Sequence, residues 1–276
     1  MTYTKPVKLL TTNNFKIMKG KKLGYMTYML SMSPFTDNSK GINICPHASK
    51  GCAASCLVGS GFGGFFKGVQ DGRRNKTEYF LANRVEFLAQ LDKEIGLAIK
   101  RHEGKAIPTF RLNGMSDIRW EKFIVRDGKN LMELYPNVQF YDYTKNPLRF
   151  DIALPKNYQI TFSRSENNHD KAIELLNRGF NVAMVFDVLP KTFEGFKVIN
   201  GDETDLRFLD KKGVIVGLKY KFLTGKGADN TSAFTSGFAI MTEGKKHTNY
   251  KKILNNLAKM LEGAKEVNRV GSLINV

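Results

Sequence analysis

The sequence predicts an α/β fold: a partial (β/α) TIM-like barrel of about six or seven mainly parallel strands, built as a single domain over residues 1–276. Two observations lead there. Short apolar runs alternate with segments of helical period, the pattern of βα units whose right-handed crossovers curl a parallel sheet. Polar and charged residues gather directly after the apolar runs, where a parallel fold brings its loops to one shared end. A doubly wound sheet is the alternative arrangement. A chain of 276 residues, 42% of them hydrophobic, is long enough to fill one such core, and no internal repeat or proline-rich linker divides it.

Taken in order, Gly24–Met32 reads as the first strand and feeds directly into a loop that holds every cysteine of the chain. From about Asn75 to His102 the residues Phe80, Val85, Leu88, Leu91, Ile95 and Ile99 recur at helical spacing and predict one long amphipathic helix. Ile107–Leu112 follows as a strand, Trp120–Tyr135 as mostly helix, Val138–Tyr141 and Gln159–Phe162 as strands. Lys171–Arg178 predicts a helix that stops at Gly179, since glycine tolerates the left-handed conformation of a helix C-terminus. Val182–Phe186 and Val214–Leu218 are strands, and Tyr250–Glu266 a terminal helix.

The cysteine loop is the most specific feature. Cys45, Cys52 and Cys56 are the only cysteines, spaced C-x6-C-x3-C. An odd number cannot pair completely as disulfides within one chain, and three thiols on one glycine-flanked loop read as metal ligands. Three cysteines leave one coordination position to another group. Zinc with His47 as the fourth ligand is one solution, and a [4Fe-4S] cluster with one open iron is the other. The absence of paired C-x2-C motifs favours iron and sulfur. Gly59–Gly64, just beyond Cys56, offers backbone N–H groups to sulfide or phosphate, or serves as a hinge.

Each later strand is followed by a polar turn. Arg111 leads into Asn113-Gly114-Met115-Ser116-Asp117; Asp142 and Lys145 follow the next strand, and Ser163-Arg164-Ser165-Glu166 the one after. Single turns of this composition are commonly just turns and caps. Their repetition, with Arg111, Lys145 and Arg164 at one end, predicts a partly cationic mouth for a small anionic substrate. Net charge is +17, from 43 Lys and Arg against 26 Asp and Glu, which suits a nucleic-acid partner or simply a lysine-rich solvated surface. No apolar run is long enough to span a membrane, and no secretory segment is visible, so a cytoplasmic protein is expected.

Two resemblances rest on these residues. The cysteine motif, the Arg111-x-Asn113-Gly114-x-Ser116-Asp117 turn and the segment from Asp202 through Asp205, Arg207 and Asp210 to Leu218 together resemble the phage gene-product-88 family, which implies a phage origin and a host-cell location. A first strand, a three-cysteine loop and successive βα units resemble the radical S-adenosylmethionine superfamily. That resemblance implies a [4Fe-4S] cluster on Cys45, Cys52 and Cys56, with S-adenosylmethionine at the open iron beside Arg111, Asn113 and Ser116. Arg164 and Lys145 would then hold an anionic substrate, and Asp117 or Asp142 would handle protons. The spacing is longer than that superfamily's C-x3-C-x2-C, and Ser55 stands where it has an aromatic residue. Outside catalysis, the same loop would serve a redox or regulatory iron–sulfur protein, or a zinc-stabilised nucleic-acid-binding protein.

Overall fold

The structure is a computed structural model that describes residues 3–60, 66–223 and 229–242. Its elements are β1 (Leu10–Thr11), α1 (Phe15–Met18), β2 (Tyr25–Leu30), α2 (Lys50–Ala54), α3 (Lys67–Ala82), α4 (Arg84–His102), β3 (Ile107–Arg111), α5 (Leu131–Leu134), β4 (Gln139–Thr144) and β5 (Tyr158–Ser163). They continue with α6 (His169–Asn177), β6 (Val182–Phe186), β7 (Thr192–Phe193), β8 (Phe196–Asn200), β9 (Ile215–Lys219), α7 (Ser232–Thr235) and β10 (Ala239–Ile240). Ten strands form one sheet in the order β1-β2-β3-β4-β5-β6-β9-β8-β7, with β10 on β6. All pairs are parallel except β1–β2 and the β7–β8 hairpin.

The expectation of six or seven strands is therefore corrected to ten among the described residues, and the sheet is not closed: β1 and β7, at the two ends of the path, do not pair with each other. The extra strands are two-residue pieces or, in β8, a partly exposed one, and carry too little apolar signal to be read from sequence.

Alternation along the strands divides the sheet into two unlike faces. Phe110, Phe140 and Tyr28 face α3 and α4, whose Phe80, Phe87, Leu88, Leu91 and Ile95 complete the main core. Phe162, Val182, Met184 and Phe186 continue the same face against Ala172, Leu175 and Leu176 of α6. The opposite face is polar. There the hydroxyls of Thr27 and Thr109 meet at 3.0 Å, and Tyr141 donates to Thr27 at 3.3 Å. The three longest described helices thus pack on one side, unlike a doubly wound sheet.

Two helical expectations change. The long helix is two helices, because Asn83 leaves the α region (φ −133°, ψ 60°) and resets the apolar phase, so that Val85 is 83% exposed. Between Trp120 and Tyr135 there is one 3-10 turn (Trp120–Lys122) and the four-residue α5. Asp127 and Gly128, at φ 53° and 68°, form the turn that interrupts it. Gly179 does adopt the left-handed conformation, at φ 85°. The helix expected over residues 250–266 and most of the glycine-rich stretch lie outside the described residues. No helix among the described residues is long and apolar enough to cross a membrane.

Candidate functional site

β2 delivers the chain to the carboxyl end of the parallel strands, and the cysteine loop that follows is tied there to the turns after β3 and β5. Gly114 N–H donates to Leu30 O and Asp117 N–H to Ile44 O, both at 2.9 Å. The Cys45 thiol donates to Met115 O at 3.4 Å. On the other side, Ser49 caps α2 by accepting from Cys52 N–H at 3.1 Å. Glu166 completes this clamp: its carboxylate accepts from the Ser49 hydroxyl and from Gly51 N–H, both at 2.7 Å. Burial opposes the Glu166 carboxylate, but the bonds from Ser49 and Gly51 outweigh it and hold its pKa below the usual range.

The sheet is built to receive this loop. β5 pairs with β6 only at Phe162–Val182 and Ser163–Ala183, and beyond that β10 takes the place beside Val185 and Phe186. Arg164 holds the inserted segment by donating to the carbonyls of Gly237 and Phe238. Gly51 packs against it so closely that an added Cβ would stand 2.5 Å from Ser236 Oγ and 2.8 Å from Phe238 Cβ.

All three cysteines are free and partly buried. Burial pushes the Cys45 thiol up to about 12, and the neighbouring Cys56, Asp117 and Cys52 add to the rise. Cys56 is raised as well, by burial and then by Cys52, with Arg73 and Lys145 pulling the other way. The sulfurs are therefore close enough to influence one another. Protonated thiols are poor nucleophiles at neutral pH, whereas a metal displaces the proton and binds the thiolate. Among the described residues, no group of three His, Cys, Asp or Glu side chains converges to hold a metal ion as it stands. The donor chemistry fits a soft metal, then, while the spacing falls short of a closed single-ion site.

The residues expected around the loop divide between two places. Lys145 and Arg164 are at the carboxyl end, where Lys145 Nζ donates to Ser163 Oγ at 2.6 Å. Asp117 is there too, but its carboxylate is engaged, accepting from Thr144 Oγ1 at 2.7 Å and Lys145 N–H at 2.8 Å. It links the β3 turn, the β4 turn and the cysteine loop. His47 is exposed on the loop.

Asn113, Ser116 and Asp142 form a buried bracket instead. Asn113 Oδ1 accepts from Ser116 Oγ at 2.8 Å, Ile118 N–H at 2.9 Å and Trp120 Nε1 at 3.1 Å. Asp142, 1% exposed, accepts from Asn113 N–H at 2.7 Å and the Tyr158 hydroxyl at 2.8 Å. Arg111 points to the polar face, where its Nη1 is 2.9 Å from Asp205. Sequence reading missed Glu166 as the clamp, and missed Lys16, Tyr143 and Asp205 around Arg111. The first and last lay in motifs already noticed; a lone Lys16 after Phe15 gave no signal.

The family model described as gene product 88 matches residues 7–237. No curated protein and no solved structure matches the chain.

Proposed function

The chain belongs to the gene product 88 family, and we propose that it is a phage-encoded iron–sulfur protein whose Cys45, Cys52 and Cys56 hold one [4Fe-4S] cluster in the host cytoplasm. The observation that carries this reading is the placement of the chain's only three cysteines on one loop, clamped above the strand ends through Met115, Ser49 and Glu166. A cubane spreads three thiolates over three irons, so its ligands stand further apart than those of a single ion. A cluster so held supplies electron transfer or an open iron. The one-sided helix cover and polar inner face support a partial-barrel character for the sheet, with Lys145 beside the cluster to hold an anionic substrate.

The test is the visible and electron paramagnetic resonance spectrum of protein reconstituted with iron and sulfide. Wild type should be brown, and Cys52→Ala should lose the colour; a fully coloured variant would sink the ligand assignment. S-adenosylmethionine is the probe of the open iron. A changed spectrum on its addition makes the protein an enzyme of the radical type, and an unchanged one makes the cluster a redox or regulatory device. The net charge of +17 favours a second reading, nucleic-acid binding around a zinc-held loop, which predicts colourless protein and binding that weakens steeply with salt.

A further inference from the structure

The Asp202–Asp210 segment, which the cysteine loop does not use, delivers Asp205 to the polar face of the sheet. Its carboxylate is 1% exposed and is shared by two cations, Lys16 Nζ at 3.2 Å from Oδ1 and Arg111 Nη1 at 2.9 Å from Oδ2. The other charges of this segment pair among themselves or with neighbours, and Glu203 accepts from the Asn200 amide at 3.2 Å. Arg207 pairs with Asp210 at 3.3 Å and donates to Thr204 O at 2.8 Å, while Asp202 pairs with Lys221 at 3.1 Å. One carboxylate against an ammonium and a guanidinium leaves one positive charge in excess. The two cations are only 29% and 12% exposed, and a buried charge without a counter-charge is costly.

The surroundings match an incoming anion. Lys16 Nζ and Arg111 Cζ lie 5.6 and 4.8 Å from the centre of the same ring, Tyr143. The Tyr143 hydroxyl, Arg111 Nε and Thr161 Oγ1 are buried donors with no hydrogen-bond partner among the described residues. Thr161 is fully buried and stands directly opposite Tyr143 in the β4–β5 register, so both side chains rise from the same face. Lys145, whose Nζ donates to Ser163 Oγ, is two residues further along the chain from Tyr143. We propose that Lys16, Arg111, Tyr143 and Thr161 form a binding site for the oxyanion group, carboxylate or phosphate, of a small organic molecule. Lys16 and Arg111 supply the charge, the two hydroxyls the remaining hydrogen bonds, and Asp205 orients both cations. The assignment stands whether or not the thiols hold a cluster.

Inorganic phosphate and acetate are the probes, titrated calorimetrically into the full-length protein, with and without metal reconstitution. At least one should bind wild type saturably, and the better of the two identifies the anion. Arg111→Gln and Lys16→Gln should each weaken it about tenfold or more, and Tyr143→Phe severalfold. Lys129→Gln, an exposed charge on the distant Arg126–Lys129 turn, should bind as wild type does. Should Arg111→Gln fail to fold, Lys16→Gln and Tyr143→Phe carry the comparison. Absence of saturable binding of either ion to wild type would overturn the site, as would binding that survives Arg111→Gln and Tyr143→Phe but is lost in Lys145→Gln.

Discussion

Asp142 shows how one strand residue changes the meaning of its neighbours. Its aspartyl side chain would lose its proton near 3.8 in an unfolded chain, but burial pushes its pKa up to about 7 despite the bonds from Asn113 and Tyr158. Between those values the native state binds more protons than the unfolded state, so stability falls as pH rises through the window, and the loss is complete above it. Asp142→Asn should flatten the dependence of melting temperature on pH between about 4 and about 7. Melting curves at constant ionic strength decide it; an unaltered slope would contradict the assignment. Asp142 was legible as a polar residue after an apolar run. The strand, however, continues to Thr144, and alternation sends Tyr141 and Tyr143 to the polar face and Asp142 to the helix side. Arg111 lies within β3 as expected, but alternation turns it to the polar face beside Asp205 and away from the mouth at the strand ends. Glu166, noticed only as part of a polar turn, holds the N-terminus of α2 through two hydrogen bonds. Glu166→Ala should cost about 2 kcal/mol by thermal or denaturant unfolding, and should lower metal retention by the cysteines; unchanged stability would show that the clamp is idle.

At the scale of elements, α2 depends on contact more than on propensity. It has five residues, and an isolated helix that short does not persist in water. The Ser49 cap, the Glu166 clamp and the fit of Gly51 against Ser236 and Phe238 hold it. Gly51→Ala inserts a methyl 2.5 to 2.9 Å from Ser236, Phe238 and Glu166. It should destabilise the protein by about 1–3 kcal/mol in denaturant unfolding, although alanine is intrinsically the better helix former. A gain in stability would mean that α2 is not pressed against the sheet. Element existence was legible wherever the apolar pattern was clear: β2, β3, β5, β6, β9 and α6 lie close to their expected bounds, and β4 runs three residues past its expected end. The helix break at Asn83 was not, because apolar residues continue on both sides and only their phase shifts. The interruption at Asp127-Gly128 was readable from its turn composition and was overridden by the apolar content around it.

At the scale of the molecule, the division of the sheet into an apolar, helix-covered face and a polar face follows from alternation acting along every central strand. It brings Arg111, Tyr143 and Asp205 together on the polar face, while the cysteine loop lies at the strand ends. The carboxyl-end placement of the loop was legible from the order of apolar run and cysteines. The insertion of β10 beside β6 was not, because its partner lies far along the chain and a two-residue strand has no pattern of its own. The proposed cluster on Cys45, Cys52 and Cys56 is open to direct measurement. Iron, acid-labile sulfide and zinc content of protein purified without oxygen tests it most directly. About four irons and four sulfides per chain, both lost in Cys45→Ala, are expected; zinc without sulfide, or no metal at all, would contradict the iron–sulfur account.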